Sequence, residues 1–368
     1  MDTCDVLIVG GGPAGSACAW ALRRAGVDAL VLDRAAFPRD KVCAGWITPQ
    51  VIDALHLDTD EYRRGRTFQP FTGFRVGLVG GSRPVETRYA AAVSFGIRRC
   101  EFDEYLLRRS GARLTLGTPA AAIVRDGEGW VVNGAIRARM LVGAGGHFCP
   151  VARAINRDER SDRAMPLVVA QEAEFPIDPD DTAATAPDIP ELYFCRDLRG
   201  YGWTVRKGQY LNVGLGRLDS RSLPRAIAEF VAFLERAGRV RGTAARRWHG
   251  HAYLVPAPLI RRAVDAGVLL VGDAAGLAYP QSGEGIRPAI QSGLFAARTI
   301  VEAAGRYTRE RLQGYDTWMR SAFGAESPAL RAMSRLVPPA ISLPLARRLL
   351  GSPAFVRHVV LDRGFLRR

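Results

Sequence analysis

The chain has 368 residues, enough for two or three domains with a buried core, and its 48% hydrophobic and 24% charged composition, with Gly 39 and Pro 22 dispersed, excludes a disordered or collagen-like protein. Its net charge of +14 comes from 51 basic residues of which all but Lys41 and Lys207 are arginine, a skew that reads as codon bias and weakens any inference from charge alone. Cys4, Cys18, Cys43, Cys100, Cys149 and Cys195 form no CxxC pair, so a zinc ribbon or a disulfide-stapled secreted scaffold is not indicated and a reduced, cytoplasmic protein is expected.

The sequence runs from Met1 to Asp5 directly into the apolar stretch Val6-Leu7-Ile8-Val9, with no room for a signal or transit segment. No stretch approaches about 18 apolar residues, so a soluble or peripheral protein is predicted. Asp5 to Gly15 then reads as strand followed by Gly10-Gly11-Gly12-Pro13-Ala14-Gly15, a helix over Ser16–Ala25, and a second strand Ala29–Asp33. This is the βαβ unit of a dinucleotide site. Gly10 permits the tight turn, Gly12 lets backbone amides approach a pyrophosphate, and Gly15 lets the helix pack on the strand. The helix N-terminus favours the phosphates. Asp33 can accept both ribose hydroxyls and would repel a 2′-phosphate, which favours FAD or NAD over NADP.

Further along, Arg99 opens a helix to about Arg109, and Met140–Gly143 is a strand running into Ala144-Gly145-Gly146. Alternating stretches at Phe71–Val79, Val85–Val93, Leu167–Glu174, Gly202–Val205 and Leu211–Gly216 predict a second, mostly antiparallel sheet. Asp178–Pro190 reads as a surface loop. A buried strand Val268–Val271 ends in Gly272-Asp273 and leads through Gly283-Glu284-Gly285-Ile286 into a helix, a second set of amides with one carboxylate. His147, His249 and His251 lack ligand spacing, so they read as structural, and no metal site is predicted. The expected fold is α/β: a Rossmann-like nucleotide unit from 1–65, 95–160 and 250–305, a substrate unit from 66–94 and 161–249, and a basic, helical segment over 306–368.

Taken together, Gly10–Gly15 with Asp33, Arg99-x-x-Phe102-Asp103, the Val142-Gly-Ala-Gly-Gly146 strand and Gly272-Asp-Ala-Ala-Gly276 with Gly283-Glu-Gly-Ile286 resemble FAD-dependent oxidoreductases of the p-hydroxybenzoate hydroxylase fold. Within that fold the chain is most similar to the geranylgeranyl reductase group, through Lys41-Val-Cys43-Ala44-Gly45-Trp46 and Tyr201-Gly202-Trp203. The resemblance implies that Gly10, Gly12, Pro13, Ala14, Gly15, Asp33 and Arg34 hold the ADP half of FAD. It implies that Cys43, Ala44 and Arg99 lie on the flavin side, that Gly272 and Asp273 meet the ribityl or pyrophosphate, and that Gly283, Gly285 and Ile286 serve the flavin N1/O2 edge. Donors at that edge stabilise the negative charge of reduced flavin. Cys43, Tyr201 and Trp203 are the candidate catalytic residues. Cys43 could instead be a small buried hydrophobe, and Tyr201 and Trp203, sharing a strand face at i and i+2, could be core.

The expected function is reduction of C=C bonds in a polyprenyl or similar hydrophobic small molecule. No second glycine fingerprint is present for NAD(P)H, so the donor is expected to bind transiently, or electrons come from a partner reductase. The alternative is a flavin monooxygenase, a hydroxylase more than a halogenase, since Tyr201-Gly-Trp203-Thr-Val-Arg206 lacks the Trp-x-Trp-x-Ile-Pro pattern. No RNA module is present, so no nucleic-acid partner is expected. From Ser327 onward eight arginines face one acid, Asp362, among Leu336, Val337, Ile341, Leu345, Leu349, Phe355 and Val359 and the prolines Pro338, Pro339, Pro344 and Pro353. Such a segment suits peripheral contact with an anionic membrane, or helices covering the substrate sheet with arginines outward.

Overall fold

The structure is a computed structural model that describes residues 1–81, 83–157, 167–177, 185–242, 246–254, 261–279, 282–323 and 339–367. Pro280, most of the predicted Asp178–Pro190 loop, Arg331, Arg335, Leu336, Val337 and Pro338 lie outside them, as do the side chains of Pro339 and Ile341.

An eight-stranded sheet has the order Val264–Asp265, Val268–Leu270, Ile136–Gly143, Asp2–Val9, Ala29–Asp33, Arg113–Leu116, with the hairpin Ile123–Asp126 and Gly129–Val132 attached to Ile136–Gly143. Its four central pairings are parallel. The stretches Val6–Val9, Ala29–Leu32, Met140–Gly143 and Val268–Leu270 are buried and carry no polar side chain, as a sheet covered on both faces requires. Register aligns their C-terminal ends: Val9 pairs with Gly143 and with Leu32, and Gly143 with Leu270. The loops after all four strands therefore open on one edge, the place where ligands bind in open α/β sheets.

The helix Pro13–Arg24 begins one turn earlier than the apolar pattern suggested, because Pro13 is pre-set for a first helical position. Its small face packs on the helix Ile286–Glu302. Gly293 makes that crossing possible, since a Cβ there would stand 2.2 Å from the Ala14 carbonyl oxygen.

The second sheet has seven strands in the order His249–Leu254, Leu167–Pro176, Tyr210–Arg217, Gly200–Lys207, Glu191–Phe194, Gly73–Leu78, Val85–Arg88, antiparallel except where Glu191–Phe194 meets Gly73–Leu78. Two expectations change. The strand His249–Leu254 belongs to this sheet, through its pairing with Leu167–Pro176, although residues from 250 were expected in the nucleotide unit. The predicted Val85–Val93 strand stops at Arg88, because the chain turns there into a three-stranded sheet of Trp46–Ile47, Ser94–Gly96 and Gln69–Phe71.

One face of the seven-stranded sheet is covered by the helix Leu223–Arg236, and Gly202 leaves room for its Phe230. The other face meets the end of the chain. Leu350, Val356, Leu361, Phe365 and Leu366 are buried there with Trp46, Phe71, Phe74 and Trp203. The end of the basic segment, from Leu350 to Leu366, thus covers the substrate sheet, while its helix Arg309–Phe323 packs on the eight-stranded one and Leu345, Leu349 and Val359 stay exposed. Among the described residues no helix is long and apolar enough to cross a membrane.

Candidate functional site

A cavity of about 890 Å³ extends from the first glycine turn to the seven-stranded sheet. It lies toward the upper end of the roughly 300–1,000 Å³ usual for ligand pockets. Gly10, Gly12, Pro13, Ala14, Asp33 and Arg34 line one region, Cys43, Ala44 and Arg99 another, and Asp273, Gly283, Gly285 and Ile286 a third. Tyr201 and Trp203 line the same space. Two predicted residues do not reach it. Gly15 and Gly272 instead permit close packing: a Cβ on Gly15 would lie 1.9 Å from the Gly10 oxygen, and Gly272, at φ +58°, sits against Ala14 and Ala289.

The first turn is shaped for a phosphate-bearing ligand. Gly10 has φ +118°, and a Cβ there would come within 2.4 Å of the Ala144 oxygen. The helix from Pro13 has no capping side chain, so its N-terminal dipole faces the cavity without a protein anion. Asp33 accepts from the Gly11 amide at 2.7 Å and the Ala35 amide at 2.8 Å, which fixes its carboxylate at the strand end. Arg39, which the sequence did not single out, lies 3.3 Å from where a Gly12 Cβ would be and pairs with Asp103 at 3.2 Å. Arg99 lines the cavity but spends its guanidinium on Asp103, in a bidentate pair at 2.7 and 2.8 Å.

Across the cavity, Lys41 Nζ and His251 Nε2 lie 2.6 Å apart, and the same imidazole nitrogen stands 3.6 Å from Asp273. His251, read from the sequence as structural, thus lines the cavity. Burial drives the Lys41 ammonium down to about 8, against the opposing pull of Asp273. Burial also lowers the His251 imidazole. Asp273 ends below the usual carboxylate range: burial would raise it, but His251 and Lys41 outweigh that.

The Cys43 loop is pinned from the substrate sheet. Its amide donates to Glu172 at 2.8 Å and its carbonyl accepts from Asn212 at 3.3 Å. Beneath it, the fully buried Lys207 pairs with Glu174, which also accepts from Arg98 at 3.0 Å. Gly45, at φ +72°, leaves room for the Lys207 ammonium. Burial pushes Glu172 up to about 7, against Lys207 and the Cys43 amide.

Tyr201 and Trp203 do share a face. Trp203 lies over Gly214 of the next strand, where a Cβ would be 2.2 Å from its ring, and donates to Asn212 at 2.7 Å. The Tyr201 hydroxyl donates to the Ser282 carbonyl, tying the substrate sheet to the second glycine turn. Phe365 meets Tyr201 edge-on at 5.2 Å. With Phe194, Leu198, Val168 and Ala170 these rings give this end of the cavity apolar walls. The tight glycine turn, the uncapped helix, the fixed carboxylate and the long cavity fit FAD.

Known proteins point the same way. A family profile described as FAD binding domain matches residues 3–57. The chain is 32% identical over 318 residues to geranylgeranyl diphosphate reductase of Rhodobacter capsulatus, covering 81% of this chain and 75% of that protein. It is 29% identical over 318 residues to menaquinone reductase of Mycobacterium tuberculosis, covering 81% and 77%. Its fold matches the crystal structure of a geranylgeranyl bacteriochlorophyll reductase-like protein from Thermoplasma acidophilum with a TM-score of 0.77 at 21% identity, over 99% of this chain and 97% of that one. The chain belongs to the geranylgeranyl reductase family and is an FAD-dependent oxidoreductase.

Proposed function

We propose that this oxidoreductase reduces C=C bonds of a polyprenyl or similarly hydrophobic substrate. The observation that carries the reading is one continuous cavity, with a glycine cradle at one end and the Tyr201–Trp203 wall at the other. Relatives named for reduction of geranylgeranyl diphosphate and of menaquinone support it. Residues 1–65, 95–160 and 250–305 apart from the strand His249–Leu254 would form the nucleotide unit, 66–94 and 161–249 with that strand the substrate unit, and 306–368 the basic, helical segment.

In this reading Gly10, Gly12, Pro13, Ala14, Asp33 and Arg34 hold the ADP half of FAD. Gly15 and Gly272 keep the two turns in place by packing. Asp273, held ionised by Lys41 and His251, bonds the ribityl chain, and the Gly283 and Gly285 amides with Ile286 border the flavin edge. When bound, FAD supplies the hydride. Ala44 and Cys43, fixed by Glu172 and Asn212, border the reacting region, with Arg99 beside them. Tyr201 and Trp203 orient an extended chain and exclude water. NAD(P)H, or a partner reductase, reduces the flavin by transient contact. Contact with an anionic membrane is supported by exposed Leu345, Leu349 and Val359 beside Arg348 and Arg357, and flotation with anionic vesicles that high salt reverses is the expected outcome.

The deciding experiment gives chemically reduced holoenzyme a polyprenyl substrate without oxygen. Mass spectrometry is expected to show hydrogen gained across double bonds. A product formed only with O2 would assign the chain to the monooxygenases.

A further inference from the structure

Between Gly283 and Gly285 the second glycine turn carries one side chain, Glu284, which the sequence reading passed over for its neighbours. It lines the cavity. Both its carboxylate oxygens are shut off from solvent and have no hydrogen-bond partner among the described residues. That sets it apart from the other deeply buried glutamates. Glu172 is bonded to the Cys43 amide, and Glu191 to Arg75 and to the Tyr193 hydroxyl at 2.8 Å. A buried carboxyl is normally paired, because an unpaired one costs several kcal/mol as an ion. Glu284 avoids that cost below about pH 7, where it is protonated: burial pushes it up to about 7, against the charge and amide of Arg287 at the start of the next helix and the charge of Arg367 at the chain end. Tyr279 and Tyr201 are the other titratable groups that sense it. A neutral carboxylic acid set in the cavity wall, with no acceptor taking its O–H among the described residues, is a proton donor once its side chain turns toward the cavity.

Saturating an isolated double bond needs such a donor. Hydride adds with its electron pair to one alkene carbon, and a proton must reach the other. Cys43 and Tyr253 also line the chamber, and two further donors there already have a partner. The Tyr201 hydroxyl is given to Ser282 and burial raises it well above its ordinary range, while Lys41 is bonded to His251 beside Asp273. We propose that Glu284 is the acid that protonates the substrate carbon, a role that rests on the reductase reading above. Its O–H bond breaks as the second C–H bond forms; the π bond is consumed, the substrate gains the two electrons of a hydride taken from reduced flavin, and the carboxylate regains its proton from water.

The test compares wild type, E284Q and E284D. Infrared spectra of protein with and without FAD are expected to show two carboxylic-acid C=O bands below pH 7 that fade above it, one from Glu172 that E284Q keeps and one from Glu284, the diagnostic band, that E284Q lacks. E284Q is expected to bind and reduce FAD normally yet saturate substrate at least about 10²-fold more slowly, the low end for a lost general acid. Wild-type turnover should fall as pH rises through about 7, since the protonated form is the active one. E284D should retain that fall at an intermediate rate. The role is overturned if the diagnostic band is absent, if E284Q keeps the wild-type rate and pH profile, or if its loss of rate matches a loss of bound FAD. A wild type that saturates no lipid fails the reductase reading itself. A working wild type beside an equally fast E284Q fails only Glu284.

Discussion

In the eight-stranded sheet Val6, Leu7 and Ile8 are fully buried with no charge among them, whereas the seven-stranded sheet buries Glu172, Glu191, Thr204, Lys207 and Asn212 to a similar depth. The first sheet derives its function from what it lacks. Its strands reach the cavity edge as apolar runs and its first turn is mostly glycine, so backbone amides and a helix dipole face the cavity there, with Asp33 as the one carboxylate at the strand end. The second sheet works through side chains that are expensive to bury, and Glu172 and Asn212 use them to hold the backbone on both sides of Cys43. Close packing confers position in one case, and paired charge does so in the other.

That contrast can be broken from either side. The largest effect is expected on the packed side, from Gly293→Ala: a Cβ 2.2 Å from the Ala14 oxygen forces the two helices apart. A loss of about 4 kcal/mol or more in denaturant unfolding is expected, together with loss of bound FAD. On the charged side, Lys207→Met removes one member of a buried ion pair and leaves Glu174 short of a cation, for an expected cost of about 3 kcal/mol. The double variant with Glu174→Gln should recover part of it. A Lys207→Met protein of unchanged stability would mean that the cluster holds nothing.

Glu172→Gln sharpens the comparison. The folded pKa of Glu172, about 7, lies above that of an exposed carboxyl, so its contribution is complete below the unfolded value and is lost as pH rises through the folded one. Between pH 5 and 8 the wild type should lose about 1–3 kcal/mol relative to Glu172→Gln, read as the difference between their unfolding curves. Because Glu284 titrates in the same range in both proteins, the difference isolates Glu172.

The packed side was the legible one. Gly10, Gly12 and Asp33 could be read because they form one strand–turn–helix–strand pattern within a short stretch, in which Gly10 at φ +118° admits no side chain. Even there, spacing could not separate a glycine that faces a ligand from one that admits a helix, so Gly15 and Gly272 were read as contacts. The charged side was nearly silent. Lys41 and His251 are 210 residues apart and meet only after the two sheets come together. Glu172 and Lys207 occupy strand positions where a polar residue normally signals the solvent face, and only the fold reveals what covers them. The face shared by Tyr201 and Trp203 was accessible, since strand periodicity fixes it locally; that Phe365 would close over it was one of two open readings of the tail.

The crossing of the Pro13–Arg24 and Ile286–Glu302 helices has a consequence for biosynthesis. A nascent chain that has emerged only as far as Asp265 holds the first glycine turn complete but nothing to seat against Ala14 and Cys18. The coenzyme can be captured only after Gly293 has left the ribosome, so the earliest strands wait, half clothed, through most of translation.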